Sequence, residues 1–303
     1  MERMVVAIGG NTLLSSDGSA TGQRRRIEAA ASTIAGIASE GRDVVLTHGN
    51  GPQVGDLLLQ QEASTQTADQ PLDVLVAQTQ AQIGYVLQQA LGNAGGERPV
   101  TVLTQVRVER DDPAFDDPSK PVGPRYTTEE AESKSFDTVS VTTATGATRH
   151  RRVVPSPSPR EVIEIDRIRS LLADGETVIC GGGGGIPVVR GSGGLEGVEA
   201  VVDKDRTSAA LGIALGATEL LILTDVDAVY RNYGTESQEP IERTTSAELN
   251  RLLDRGAFEA GTMRPKVQAA VDFVDSGGET AIITSTDAVA DALAGDAGTK
   301  VLP

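Results

Sequence analysis

The chain of 303 residues carries 43 acidic and 27 basic side chains, a formal net charge of −16 at pH 7. That balance argues against a duplex nucleic acid partner, which needs clustered Lys and Arg against its phosphates, and the single cysteine, Cys180, excludes an intramolecular disulfide framework. No run approaches the roughly 18 consecutive apolar residues of a membrane span, and no cationic-then-apolar leader opens the chain, so a soluble, cytoplasmic protein is expected.

Val5 to Ile8 is an apolar run ending in Gly9-Gly10 and predicts a buried strand feeding a tight turn. The stripe Ile27, Ala30, Ala31, Ile34, Ile37 and Ala38 predicts a helix over Arg24 to Ser39, with Gly41 placed to end it. Asp43 to Thr47 predicts a second strand stopping at His48-Gly49-Asn50-Gly51; a long helix at Leu72 to Leu91 and a strand at Val100 to Thr104 follow. Between Asp111 and Pro159 the pattern breaks into a stretch rich in Pro, Thr, Asp and Glu, with alternating pieces at Thr138 to Thr142 and Arg151 to Val154. A structureless loop of that length does not suit a compact domain, so a small β-containing excursion is expected there. The pattern resumes with a helix at Glu161 to Leu172 and a strand at Thr177 to Cys180 that runs into five glycines, Gly181 to Gly185. A helix at Asp203 to Leu215, a strand at Glu219 to Leu223, helices at Ser246 to Asp254 and Met263 to Asp275, and a strand at Thr280 to Ile283 complete the series. The alternation predicts an α/β fold with a mostly parallel sheet, one domain over 1–303 with the excursion 111–159 inserted in it.

Three strands stop at glycine-rich turns, Gly9-Gly10-Asn11, Gly49-Asn50-Gly51 and Gly181 to Gly185. Ligands of parallel sheets bind beyond the carboxyl ends of the strands, and glycines there let backbone N–H groups close on an anion. Neither the Walker A spacing nor a dinucleotide fingerprint in a strand–helix setting is present.

Only five of the basic residues are lysines; the other 22 are arginines. With acids spread along the whole chain, this composition suits a high-salt cytoplasm, an ordinary acidic protein being the alternative. In a chain that nearly always selects Arg, each lysine invites a reason. Lys204 and Lys266 each open a predicted helix and Lys120 sits in Pro118-Ser119-Lys120-Pro121, all placed as compact charges for phosphate oxygens, whereas Lys134 and Lys300 read as solvated surface. With His48 and His150 the only histidines, a multi-histidine metal site is excluded. Cys180 lies in a buried strand and reads as core, and no Gly-x-Ser-x-Gly elbow occurs. Phosphoryl transfer, which relies on positioning and charge stabilisation, fits this inventory.

Several long stretches resemble the amino-acid kinase superfamily and, within it, the carbamate kinases. They are Val6 to Asn11, His48 to Gly55, Asp117 to Pro124, Arg151 to Pro157, Asp203-Lys204-Asp205, Leu223 to Tyr230 and Ala260 to Val267. Two departures stand out: no early lysine precedes Gly9, as it does in most of the superfamily, and Arg264 stands where relatives often have a small residue. The resemblance implies a three-layer αβα sandwich whose excursion is a protruding lid. It further implies that Gly9, Gly10 and Asn11 hold the transferring phosphoryl group, and that Gly49, Asn50 and Gly51 bind the carbamate end. Lys204 would bridge the phosphates, Asp205 would orient the lysines, Lys266 would reach the nucleotide phosphates, and Lys120 would descend from the lid. Asp225, Tyr230 and Met263 would border the nucleotide, while strand-end turn chemistry is the competing reading for Asp225 and Asp227, and for Asp227 in particular.

The implied reaction is reversible phosphoryl transfer between ATP and carbamate, with Mg²⁺ carried mainly by the nucleotide phosphates and no protein metal site. Small-molecule substrates, a homodimer and a role in arginine fermentation come with it. Two alternatives stand beside this reading. One is a sister kinase acting on acetylglutamate, glutamate or a nucleoside monophosphate, against which the missing early lysine, the lid segment and the lack of a module after Pro303 weigh. The other is a non-catalytic nucleotide or anion sensor on the same fold.

Overall fold

The computed structural model describes residues 2–13, 19–39, 41–64, 66–95, 99–143, 146–258 and 262–303. In chain order the elements are β1 (Arg3–Ile8), α1 (Ala20–Ser39), β2 (Asp43–His48), α2 (Gly51–Ala63), α3 (Leu72–Asn93), β3 (Val100–Thr101) and β4 (Gln105–Arg107). The middle of the chain forms β5 (Lys120–Tyr126), α4 (Thr128–Glu132), β6 (Thr138–Thr142), β7 (Thr148–Val154), β8 (Glu161–Val162), α5 (Ile165–Ala173) and β9 (Val178–Ile179). Then come β10 (Ile186–Gly191), β11 (Gly194–Gly197), α6 (Lys204–Leu215), β12 (Glu219–Thr224), β13 (Val229–Arg231), β14 (Glu239–Ile241) and β15 (Arg243–Thr245). The last are α7 (Ser246–Asp254), α8 (Met263–Asp275), β16 (Thr280–Ser285), α9 (Val289–Ala294) and β17 (Thr299–Leu302).

Unbroken apolar runs such as Met4 to Ile8 and Leu220 to Leu223 suit strands covered on both faces, and both runs are wholly buried. They lie in an eight-stranded sheet of order β15-β17-β16-β12-β1-β2-β9-β3, parallel throughout except where β17 meets β16. The pleat sends alternate residues to opposite layers. Val5 and Ala7 pack with Leu211 of α6 and Val267, Val271 and Phe273 of α8, while Met4, Val6 and Ile8 pack with Ile27 and Ile34 of α1 and Ile83 and Leu87 of α3. The three-layer αβα sandwich follows directly from that alternation. A second, four-stranded sheet has the order β11-β10-β4-β8, and β5-β7-β6 form a separate antiparallel sheet, the lid. Val122 and Val154 of the lid seat it on a small cluster with Val54, Leu72 and Val76.

Several predicted boundaries move for identifiable reasons. The strand expected over Val100 to Thr104 ends at Thr101, because Gln80 claims the backbone of Thr104 on both sides, Oε1 accepting from its N–H at 2.9 Å and Nε2 donating to its carbonyl at 3.1 Å. The helix expected from Glu161 begins at Ile165: Glu161 and Val162 pair with β4, and the Glu164 carboxylate accepts from the Gln105 N–H at 2.8 Å. Among the described residues no helix is long and apolar enough to cross a membrane.

Candidate active site

β1, β2 and β9 are neighbours in the sheet, so their three glycine turns converge on one edge. The Gly9 N–H donates to Leu223 O at 3.0 Å and the Gly49 N–H to Ile8 O at 2.9 Å. The first two turns nearly touch, since a Cβ on Gly49 would stand 2.6 Å from the Gly10 nitrogen. Asn11 opens a short 3₁₀ turn, Asn11–Leu13. Asn50 occupies the N-cap of α2 but turns its amide away, donating to Thr79 Oγ1 at 2.8 Å. The first N–H groups of α2 therefore keep no side-chain partner and face the cleft with the positive end of the helix dipole.

Across the cleft, Asp203 caps α6, its Oδ1 accepting from the N–H groups of Asp205 at 3.0 Å and Arg206 at 3.4 Å. Its other oxygen accepts from Lys120 Nζ at 2.7 Å, although Lys120 belongs to the lid. Asp205, almost fully buried, accepts from Lys204 on one oxygen and from Lys266 Nζ, at 3.1 Å, on the other. Three of the five lysines thus meet on two carboxylates in a single cleft. Burial works to raise the Asp203 pKa, but Lys120, helped by Lys204 and Lys266, outweighs it and holds the carboxyl at about 2. Burial pushes the Lys204 ammonium below the usual lysine range while Asp205 resists.

The cleft holds about 260 Å³ and is lined by the turns Gly9-Gly10 and Gly49-Asn50-Gly51 and by Lys120, Lys204, Asp205 and Lys266. A second cavity of about 370 Å³, walled by Tyr230, Tyr233, Phe258 and Met263, shares Thr224, Asp225, Thr262 and Lys266 with it. The two form one trough, polar and cationic at one end and aromatic at the other. Asp225, Tyr230 and Met263 all border the aromatic end. Asp227 accepts from Tyr230 Oη at 2.7 Å. Arg264 lines neither cavity; it donates to Leu253 O at 3.0 Å and ties α8 to the end of α7. Ala260 and Gly261 of the last motif lie outside the described residues.

Arg151 and Asp203 stand inside the motifs that carry the resemblance, yet their sequence context assigns neither a role at the site. Arg151 lines the cleft from the lid strand β7, its Nε donating to Gly123 O at 3.2 Å, and among the described residues no carboxylate pairs with it. Burial, then the like charge of Arg125, pushes its pKa down. Asp203 was legible as an N-cap from Asp203-Lys204-Asp205 before an apolar helix; its hold on Lys120, 83 residues away in the chain, was not. Lys134 departs from the expectation of solvated surface, because its Nζ donates to Glu62 Oε2 at 2.9 Å beneath the lid. His48 and Cys180 are buried core: burial lowers the His48 pKa to about 4 and raises that of the Cys180 thiol to about 12. Among the described residues no group of three or more His, Cys, Asp or Glu is placed to hold a metal.

An anion cradle of glycine amides and lysines at the carboxyl edge of a parallel sheet, open to an aromatic cavity, is the equipment of a nucleotide-dependent phosphotransferase. The chain belongs to the amino acid kinase family, whose model matches residues 2–285. Within that family it is closely related to carbamate kinases. It is 50% identical to the carbamate kinase of Halobacterium salinarum, covering 100% of this chain and 99% of that one. It is 42% identical to that of Pyrococcus furiosus, with the same coverage of 100% and 99%. The solved carbamate kinase of Giardia lamblia bound to AMP-PNP superposes with a TM-score of 0.90 at 39% identity, over 99% of this chain and 98% of the other.

Proposed function

We propose that the protein is a carbamate kinase, transferring a phosphoryl group reversibly between ATP and carbamate and serving to form ATP from carbamoyl phosphate in arginine breakdown. The observation that carries the reading is the set of three lysines, held on Asp203 and Asp205, facing two glycine turns. In the direction of carbamoyl phosphate synthesis, a carbamate oxygen attacks the γ-phosphorus and the bond to the bridging oxygen breaks, leaving ADP. Carbamate is already an anionic nucleophile, so no general base is required, in keeping with a cleft whose nearest histidine is buried and neutral. The amides of Gly10 and Asn11 receive the transferring group; the expected third amide, that of Gly9, is already given to Leu223 O, so Gly9 serves by letting the turn pass close. Gly49, Asn50 and Gly51 with the α2 dipole receive the carbamate. Lys204 and Lys266, oriented by Asp205, neutralise charge on the phosphates, and Lys120 brings a third cation from the lid. Tyr230, Met263 and Asp225 border the nucleotide.

Mg²⁺ supplies charge neutralisation between adjacent phosphates when it arrives with the nucleotide. Asp203 and Asp205 are already ion-paired with lysines, so the donors here fit a cation held chiefly by phosphate oxygens. The excursion 111–159 acts as the lid that keeps water from carbamate and carbamoyl phosphate. A homodimer in the cytoplasm completes the reading, supported by exposed Tyr85 and Leu103 along one groove and by a buried, reduced Cys180.

The test is ATP formation from carbamoyl phosphate and MgADP in molar KCl, with Lys204→Ala as control. Rapid ATP formation by the wild type and a loss of about two to four orders of magnitude in the variant are expected. A folded wild type that forms none would redirect the search to acetylglutamate.

A further inference from the structure

Helix α2 and strand β5 run side by side, and each has one end at the cleft. Gly55 of α2 and Gly123 of β5 approach so closely that a Cβ on Gly55 would stand 3.8 Å from the Gly123 backbone. Gly51 and Lys120 at their near ends both line the cleft. Thirteen helical residues and seven strand residues each span about 20 Å, so their far ends also meet. There Glu62, on the last turn of α2, accepts from Tyr126 Oη on one oxygen and from Lys134 Nζ, at 2.9 Å, on the other. The Lys134 ammonium also stands 4.4 Å over the Tyr126 ring.

Local sequence builds this contact deliberately. The capping box of Thr127 and Glu130 starts α4 immediately after Tyr126, and the short helix returns the chain so that Lys134 lies back over the ring. Glu62, by contrast, is poorly placed for its own helix, since a carboxylate near a helix C-terminus opposes the dipole. Its two partners belong to the lid, and that is where it acts.

We propose that Glu62, Tyr126 and Lys134 form a latch that sets the closure of the lid, making Glu62 and Lys134 positioning residues for Lys120 at the opposite end of β5. The proposal rests on the carbamate kinase reading for its kinetic consequence only. Releasing the latch lowers the fraction of molecules with the lid closed before substrate arrives, and apparent affinity for the substrate beneath the lid falls by that fraction. The aromatic cavity that receives the nucleotide base is built without lid residues, so nucleotide affinity is spared.

The experiment compares wild type, Glu62→Gln, Lys134→Met, their double variant and Lys134→Arg by steady-state kinetics and amide hydrogen exchange. Expected are a rise in the KM for carbamoyl phosphate of about fivefold to tenfold in each disrupting variant, a KM for MgADP and a kcat within about twofold of wild type, and substantial recovery in Lys134→Arg. The double variant should be no worse than the worse single one, as for two halves of one contact. Exchange should quicken in Lys120–Tyr126 and Thr148–Val154 while the amides of β1 and β12 stay protected. Unchanged lid exchange in Glu62→Gln, or KM values for both substrates rising together, would overturn the latch. A wild type inactive on carbamoyl phosphate would defeat the carbamate reading instead, and the exchange measurement would still decide the latch.

Discussion

Lys120 Nζ lies 2.7 Å from Asp203 Oδ2, an ion pair between the first residue of a lid strand and the N-cap of α6. The same carboxylate caps the helix with its other oxygen, so helix start and lid position are fixed by one side chain. Asp203→Asn keeps a good cap and removes the charge. The expected result is a loss of roughly tenfold in turnover with a stability cost of about 2 kcal/mol at neutral pH, read from urea melts. Asp203→Ala should cost about 1 kcal/mol more, the value of the cap. Because the folded-state pKa of about 2 lies below the ordinary 3.8, the contribution of the pair is complete above about pH 4 and disappears as pH falls through 2. Wild type and Asp203→Asn should therefore converge in stability on acidification; a constant gap would contradict the ion pair as its source.

The buried His48 gives a pH dependence in a higher window. Its Nδ1 lies 3.0 Å from Gly49 O, and burial brings its pKa from 6.5 to about 4. Folding thus excludes the imidazolium: stability is full above pH 6.5 and declines as pH falls toward 4, by about 3 kcal/mol in total. A series of melts at fixed KCl should show that slope in the wild type, and His48→Gln should flatten it. A wild-type curve level between those pH values would sink the assignment.

How far the sequence carried the fold can be judged from particular residues. The helices Ser246–Asp254 and Met263–Asp275 were legible to the residue, because their apolar periodicity is strong and a cap or a proline marks the start. Helix α2 was not foreseen: its glutamines and glycines weaken the apolar stripe, and it buries only Gln53, Val54 and Gly55. The short strands β10 and β13 to β15 escaped because pairing with distant partners, not local pattern, defines them. The three cleft lysines stood out against a chain rich in arginine, which made rarity itself a signal. Arg151 has no such contrast, being one arginine among 22, and the ion pair of Lys134 is hidden in the sequence because its partner lies 72 residues away.

The glycine run after β9 is demanded by its backbone. Gly184 has φ +91°, and a Cβ there would stand 1.9 Å from Val202 O, just before the α6 cap. Gly184→Ala should destabilise by about 3 kcal/mol or more, combining a left-handed alanine with a backbone clash that distorts the Asp203 cap. Gly175, at φ +81° with open space around it, provides the control: Gly175→Ala should cost only about 1 kcal/mol. Equal losses in denaturant melts would leave the conformational term alone in charge and dismiss the clash.

Arg151 offers the sharpest separation of stability from function. Its guanidinium lies half-buried in the cleft, beside Gly123 O and near the like charge of Arg125, with no carboxylate partner among the described residues. Lys120, Lys204 and Lys266 each have one. An uncompensated cation costs the ligand-free protein and is satisfied only when an anion enters. Arg151→Met should therefore stabilise the empty protein slightly, by about 0.5 kcal/mol after allowance for solvent screening, while lowering kcat/KM for carbamoyl phosphate by roughly tenfold to a hundredfold. Arg151→Lys keeps the charge but not the fork and should fall between. Thermal melts with and without carbamoyl phosphate decide the matter, since the ligand should raise the wild-type midpoint more than that of Arg151→Met. A variant that melts lower than wild type when empty and keeps full activity would make Arg151 a structural residue of the lid and nothing more.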